Sequence, residues 1–108
     1  MRNYLCLALC LITGLLSAQT VDSVALRRVD SLIQVSHTLT NARTFDKAFE
    51  VAAAAEKLAL EKLGRESAAY GSCCFNRGKI MYFKGDNLES EYWFKESITI
   101  QEKVLGRE

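Results

Sequence analysis

The sequence contains no proline, one histidine and one tryptophan, and its positive and negative charges almost cancel. Because proline interrupts helices, its absence, with 49% hydrophobic and only 9% aromatic residues, favours packed helices over disorder. Residues 19–108 carry thirteen bases and thirteen acids, with no basic cluster. This balance argues against nucleic acid or an anionic membrane as a partner.

The first eighteen residues differ in composition from the rest. Arg2 precedes an apolar run of about twelve residues from Leu5 to Leu16, and the small residues Ser17 and Ala18 follow. This order is typical of a secretory signal peptide, and the run is shorter than the roughly 20 residues that span a membrane. We therefore predict cleavage near Ala18 and export to the periplasm or the extracellular space.

The four cysteines form two groups. Cys6 and Cys10 leave with the signal peptide; a lipid anchor on Cys10 is a lesser alternative, because Leu9 stands where lipoprotein signals usually have a small residue. Cys73 and Cys74 are neighbours and cannot join distant segments by a disulfide. No second Cys or His follows at metal-ligand spacing, so we expect two buried, hydrophobe-like side chains and predict no metal and no cofactor.

A short segment occurs twice in the chain. Leu63–Glu66 reads Leu-Gly-Arg-Glu, and Leu105–Glu108 repeats it at an offset of 42 positions. Residue classes match at the same offset. The small pairs are Ser36 with Gly78, Ala48 with Ser90 and Ala55 with Ser97; the apolar pairs are Ile33 with Phe75, Leu39 with Met81 and Leu58 with Ile100. A fixed period of this kind is the signature of a repeat architecture.

Helical periodicity in each copy predicts a pair of helices. The expected helices are Val21–Asn41, Phe45–Leu63, Ser67–Lys84 and Asn87–Leu105. The expected N-terminal caps are Thr44, Ser67 and, as a capping box, Asp86 with Glu89. The glycines expected in left-handed conformation after helix ends are Gly64, Gly85 and Gly106.

The second copy resembles the tetratricopeptide repeat, in the 42-residue variety found in kinesin light chain and in many bacterial repeat proteins. Phe75–Gly78 matches the aromatic, Asn, Leu, Gly segment of the family's first helix, with Arg77 in place of leucine, and Gly85 stands at the turn. The run Ile100–Gly106 is similar to the signature that closes each such repeat. The first copy is atypical, with Arg43 in place of the turn glycine, as a terminal repeat can be.

This resemblance covers about residues 28–108 and implies an all-α fold: two antiparallel helical hairpins of an α-solenoid after a signal peptide. The implied organisation is a signal peptide at 1–18, an atypical repeat at 19–66 and a further repeat at 67–108. The implied function is a scaffold that binds a peptide or protein in a concave groove lined by the first helix of each hairpin. The expected groove residues are Gln34, His37, Thr40, Asn41, Asn76, Lys79, Tyr82 and Phe83.

No sequence motif indicates catalysis, so we predict that the chain is not an enzyme and that His37 lies on a polar face. Trp93 and Phe94 are expected in the core. Two repeats seldom bury enough surface to be stable alone, which predicts further repeats or self-association. The alternatives are a regulatory array of a larger bacterial caspase-like peptidase or sensor kinase, and a self-contained homo-oligomer.

Overall fold

The computed structural model describes residues 23–106, and this range is helical between short turns, without a strand. Helix α1 covers residues 23–41, and the other helices are α2, Phe45–Lys62, α3, Ala68–Lys84, and α4, Asn87–Gly106. The all-α class is confirmed. The predicted signal peptide and the predicted start of the first helix at Val21 lie outside the described residues. No helix between residues 23 and 106 is long and apolar enough to cross a membrane.

Two of the predicted caps are present. The Ser67 hydroxyl accepts a hydrogen bond from the Tyr70 N–H at 3.1 Å and donates one to the Gly64 carbonyl at 2.7 Å. The Asp86 carboxylate accepts from the Glu89 N–H at 3.3 Å. The N–H of Asp86 donates to the Met81 carbonyl instead of to a Glu89 carboxylate. Asp86 therefore caps α4 alone, without the reciprocal bond of a capping box.

Two other local predictions are wrong. Thr44 makes no side-chain cap bond, because its ψ of 69° is far from the extended backbone that aims a capping hydroxyl at the helix, such as the ψ of 151° at Ser67. Gly106 is the last residue of α4 rather than a left-handed residue after it. Gly64 and Gly85 do adopt the expected positive φ, at 93° and 96°.

The turns after α1 and α3 close with the same backbone bonds. After α3, the Asp86 N–H donates to Met81 and the Gly85 N–H to Tyr82. After α1, the donors and acceptors lie 42 positions earlier: Thr44 to Leu39 and Arg43 to Thr40. This pair of bonds is a Schellman motif. Arg43 occupies the glycine position of the first motif and takes a φ of 62°, in the left-handed region that residues with a side chain rarely adopt.

Helices α1 and α2 form hairpin 1, and α3 and α4 form hairpin 2. In hairpin 1 the Ser36 hydroxyl donates to the Ala48 carbonyl at 2.9 Å, and in hairpin 2 the Ser90 hydroxyl donates to the Gly78 carbonyl at 2.9 Å. Ser36 corresponds to Gly78 at the offset of 42 positions, and Ala48 corresponds to Ser90. The same close helix crossing thus occurs in both hairpins, with the hydroxyl on opposite helices.

The two hairpins share a core made mostly of small side chains. The buried residues of its larger part are Val29, Ala55, Ala59, Ala69, Tyr70, Cys73, Cys74 and Ile100, and those of its smaller part are Ala48, Ala52 and Ile80. Both cysteines are free and buried, as expected. Burial raises the pKa of Cys73 to about 12 and that of Cys74 to about 11, so both remain neutral thiols that pack like small hydrophobes.

Candidate functional site

The eight predicted groove residues lie on α1 and α3, which are neighbours in the structure. The Lys79 ammonium of α3 lies 3.0 Å from Nδ1 of His37 on α1, and the side-chain amide of Asn41 lies 3.3 Å from Nε2 of the same ring. Lys79 and His37 are 42 residues apart in the chain. The structure therefore brings three of the eight residues into one line across the two helices.

The hydrogen-bond donors around His37 determine which of its ring nitrogens carries the proton. Lys79 can only donate, so Nδ1 of His37 accepts and a neutral ring carries its proton on Nε2. Asn41 then meets Nε2–H with its amide oxygen, which is the other orientation of an amide whose two ends are easily interchanged. Among residues 23–106, Lys79 makes no ion pair, so its positive charge is not neutralised by a neighbouring carboxylate.

Two aromatic side chains continue the exposed side of α3 beyond Lys79. Tyr82 is 60% exposed and Phe83 is 45% exposed. Their rings meet edge to face, with centroids 5.7 Å apart, the arrangement that aromatic pairs prefer. Gln34 is also exposed, on α1. These six residues form what we call the α1–α3 face, whose members are Gln34, His37, Asn41, Lys79, Tyr82 and Phe83.

The other two predicted groove residues, Thr40 and Asn76, lie between helices, only 2% and 4% exposed. The Thr40 hydroxyl donates to the Ser36 carbonyl at 2.8 Å. The Asn76 amide donates to the Ser36 hydroxyl at 3.0 Å. A buried polar group must find such a partner inside the protein. We correct their assignment accordingly: both side chains are almost fully buried and hold helices together, although Asn76 also contributes to the wall of a groove beside α4.

These bonds join three helices into one buried network. Ser36 on α1 accepts from Asn76 on α3 and donates to the Ala48 carbonyl on α2. The sequence indicated only that position 36 is small. The Ser36 hydroxyl and the Asn76 carboxamide, 40 residues apart, are both present in the sequence. Nothing in their spacing showed that they meet.

A second polar group, missed by the sequence reasoning, lies between the hairpins. Nε of Arg77 on α3 is 3.4 Å from a carboxylate oxygen of Glu56 on α2, and the guanidinium carbon is 4.8 Å from the ring centroid of Trp93 on α4. Burial raises the pKa of Glu56, and the charge of Arg77 partly opposes that rise. The Trp93 indole N–H has no hydrogen-bond partner among the described residues.

The described residues show no constellation for metal binding. Between residues 23 and 106 there is no group of three or more His, Cys, Asp or Glu side chains that could hold a metal ion. The exposed chemistry of the α1–α3 face consists of hydrogen-bond donors and acceptors, one positive charge and two aromatic rings. Such groups bind ligands by contact and hydrogen bonding.

Comparisons with known proteins found no match, either to a protein-family model, to a curated protein or to a solved structure. The likeness to the tetratricopeptide repeat therefore depends on the residues and spacing given above.

Proposed function

We propose that this chain is an exported protein-interaction module that binds an extended peptide or protein segment along the α1–α3 face. The observation that supports the proposal most directly is the line formed by Asn41, His37 and Lys79, which crosses from one helix to the next beside the exposed rings of Tyr82 and Phe83. In this proposal the two hairpins are units of a tetratricopeptide-like α-solenoid, and the module itself does no catalysis.

The chemistry of the α1–α3 face suits a peptide main chain and its carboxylates. Lys79 contacts the His37 ring rather than a carboxylate, so its charge is available to a carboxylate of a ligand, and hydrogen bonds to charged groups are about twice as strong as neutral ones. Asn41 and Gln34 can each both donate and accept, as a peptide bond requires. Tyr82 and Phe83 offer rigid apolar surface of the kind enriched in protein interfaces.

The organisation of the face lowers the cost of binding. Lys79 and Asn41 are long or rotatable side chains, and each is already held by a hydrogen bond to His37. Ordering a flexible side chain at an interface costs about 0.5–1.5 kcal/mol. Groups that are ordered before the ligand arrives do not pay this cost again, so the line acts as a preorganised site.

Selection of displayed random peptides against the full chain tests this proposal. Affinities of the enriched peptides are then measured by fluorescence anisotropy for the wild type, for Lys79→Ala and for Lys57→Ala, which removes an exposed lysine of α2. We expect about a tenfold loss with Lys79→Ala, equivalent to roughly 1.4 kcal/mol, and no loss with Lys57→Ala. Equal effects of the two substitutions, or no enriched peptide, would contradict the proposal.

Export is tested separately, by mass spectrometry of the protein made in bacterial cells. A mature chain that begins near Gln19 in the periplasmic or extracellular fraction is the expected result. An intact N-terminus in the cytoplasmic fraction would show that the export proposal is wrong.

A further inference from the structure

Hairpin 2 covers one side of hairpin 1, and the covered residues can be identified. Ile33 of α1 and Leu63, which follows α2, are partly buried against the core that α3 shares. The Glu56 side chain of α2 is only 12% exposed, because Arg77 of α3 lies over it. These three residues mark the surface on which hairpin 1 receives its neighbour.

The residues 42 positions later in hairpin 2 have no such cover. They are Phe75, Ile98 and Leu105, and they are 51%, 57% and 67% exposed. All three are large and apolar, and all three line one groove of about 510 Å³, whose wall also includes Ile33 of α1 and the charged Glu102 of α4. We call this surface the open face. Contiguous exposed apolar surface of this kind marks a site of interaction with another protein.

The opposite side of hairpin 1 has a different character. The α3 residues buried toward hairpin 1 include Ala69, Cys73, Asn76 and Ile80. The residues 42 positions earlier on α1 are Arg27, Ser31, Gln34 and Thr38, all polar and all exposed, and the exposed apolar Val35 lies beside them. A mostly polar outer surface such as this one is what solubilises the end of a stack of helical repeats. The two ends of this pair of hairpins are therefore unequal.

We propose that the open face binds an antiparallel helical hairpin of the same kind as hairpin 2, in the register that relates hairpin 2 to hairpin 1, and that the outer side of α1 does not. The open face repeats, one hairpin further along the chain, an interface already present inside the molecule. This docking involves a different surface from the α1–α3 face and does not depend on peptide binding there.

The chemistry of the partner follows from the same correspondence. Its leading helix needs small residues at the positions of Ala69 and Cys73, because those residues enter the core between the hairpins. At the position of Arg77 it needs an apolar residue. Arg77 pairs with Glu56, whereas the corresponding residue of the open face is Ile98, which offers no charge.

A second hairpin made from the protein's own sequence provides the probe. A copy of residues 67–108 is appended directly after Glu108 of the full chain, so that each copied residue follows its original by 42 positions. Four chains are compared: Ile98 or Ile98→Glu in the original, each combined with Arg77 or Arg77→Leu in the copy. The Ile98→Glu change recreates the acid of the Glu56–Arg77 pair at the open face.

We expect crossed melting temperatures. The matched chains, Ile98 with copied Arg77→Leu and Ile98→Glu with copied Arg77, should unfold in one transition, roughly 4 °C or more above the mismatched chains. Val35→Glu is the matched control: Val35 is 49% exposed on the outer side of α1 and should leave the melting temperature of the extended chain unchanged.

Three results would overturn this proposal. Additive effects of the two substitutions would mean that the copied residue 77 does not meet residue 98. Separate melting of the copy would mean that it does not dock. An unextended wild-type chain that sediments as a dimer, and becomes monomeric with Ile98→Glu, would mean that the occupant is a second copy of the chain. Peptide affinity at the α1–α3 face is measured independently, so either proposal can fail while the other holds.

Discussion

Hairpin 1 and hairpin 2 reach the same geometry with different residues. At the helix crossing, hairpin 1 has Ser36, whereas hairpin 2 has Gly78 with the ring of Phe94 against it; a Cβ on Gly78 would lie 2.6 Å from that ring. The residue 42 positions before Phe94 is Ala52, which is fully buried. Where hairpin 1 combines Ser36 with Ala52, hairpin 2 combines the smaller Gly78 with the larger Phe94. The spacing between the two helices of a hairpin therefore depends on both positions together.

The largest predicted effect comes from breaking this pairing. Gly78→Ser places a Cβ against the Phe94 ring and should destabilise the protein by about 2 kcal/mol, as overpacking does. Adding Phe94→Ala transfers the hairpin 1 combination to hairpin 2. In a double-mutant cycle measured by urea unfolding, we compare the losses of unfolding free energy. The loss in the double variant should be at least about 1 kcal/mol smaller than the sum of the losses in the two single variants. A strictly additive result would show that the two positions do not share the space.

The serine hydroxyls at the two helix crossings, Ser36 and Ser90, allow a second comparison. Ser36→Ala removes the bond to Ala48 and also the acceptor of the buried Asn76 amide, and an unsatisfied buried donor costs about 1–3 kcal/mol. Ser90→Ala removes one hydroxyl donor to a carbonyl, and about 1 kcal/mol or less is expected. Denaturant unfolding should rank Ser36→Ala as the more damaging change. The reverse order would argue against the network that joins α1, α2 and α3.

The turns give the third comparison. Arg43→Gly should stabilise the protein by up to about 1 kcal/mol, because glycine adopts a positive φ without the steric cost that a side chain meets. Gly85→Ala is the matched change at the other turn, where φ is 96°, and should destabilise by about 1 kcal/mol or more. Thermal unfolding of both variants measures the pair. A loss of stability in Arg43→Gly would mean that the arginine side chain makes a contact worth more than its backbone strain.

The smallest expected effect is the pH dependence that Glu56 contributes. Burial raises the pKa of Glu56 above its ordinary value of 4.5, so the folded state holds this proton more tightly than the unfolded state. Its contribution to stability is therefore greatest at low pH and is lost as the pH rises above 4.5 through the raised pKa. The unfolding free energy of the wild type relative to Glu56→Gln should fall over this range.

Glu91→Gln provides a control of opposite sign. The hydrogen bond from Lys95 lowers the pKa of the exposed Glu91, so any contribution from Glu91 is lost as the pH falls. A pH dependence of Glu56→Gln that matches that of Glu91→Gln would contradict the assignment of burial as the main cause at Glu56.

The sequence alone determined the number and type of the helices and, to within one residue, their ends in the described range. Apolar residues at helical spacing, a serine before α3 and glycines after α2 and α3 act within a few residues of one another, so local physics was sufficient. The small residues at positions 36, 48, 78 and 90 were also visible, because the repeat offset aligned them. Thr44 and Gly106 show where local rules fail: backbone conformation at the helix end decides whether a residue caps.

Only the tertiary structure decided which polar residues are exposed and which hold the helices together. From the sequence, Thr40 and Asn76 were expected on the surface. The packing of α1 against α2 and α3 buries both side chains. Arg43 takes a left-handed backbone because the bonds that close the turn require it. The Glu56–Arg77 contact, and the contrast between the open face and the outer side of α1, depend on how one hairpin lies on the other. That arrangement joins residues far apart in the chain, beyond the reach of local patterns.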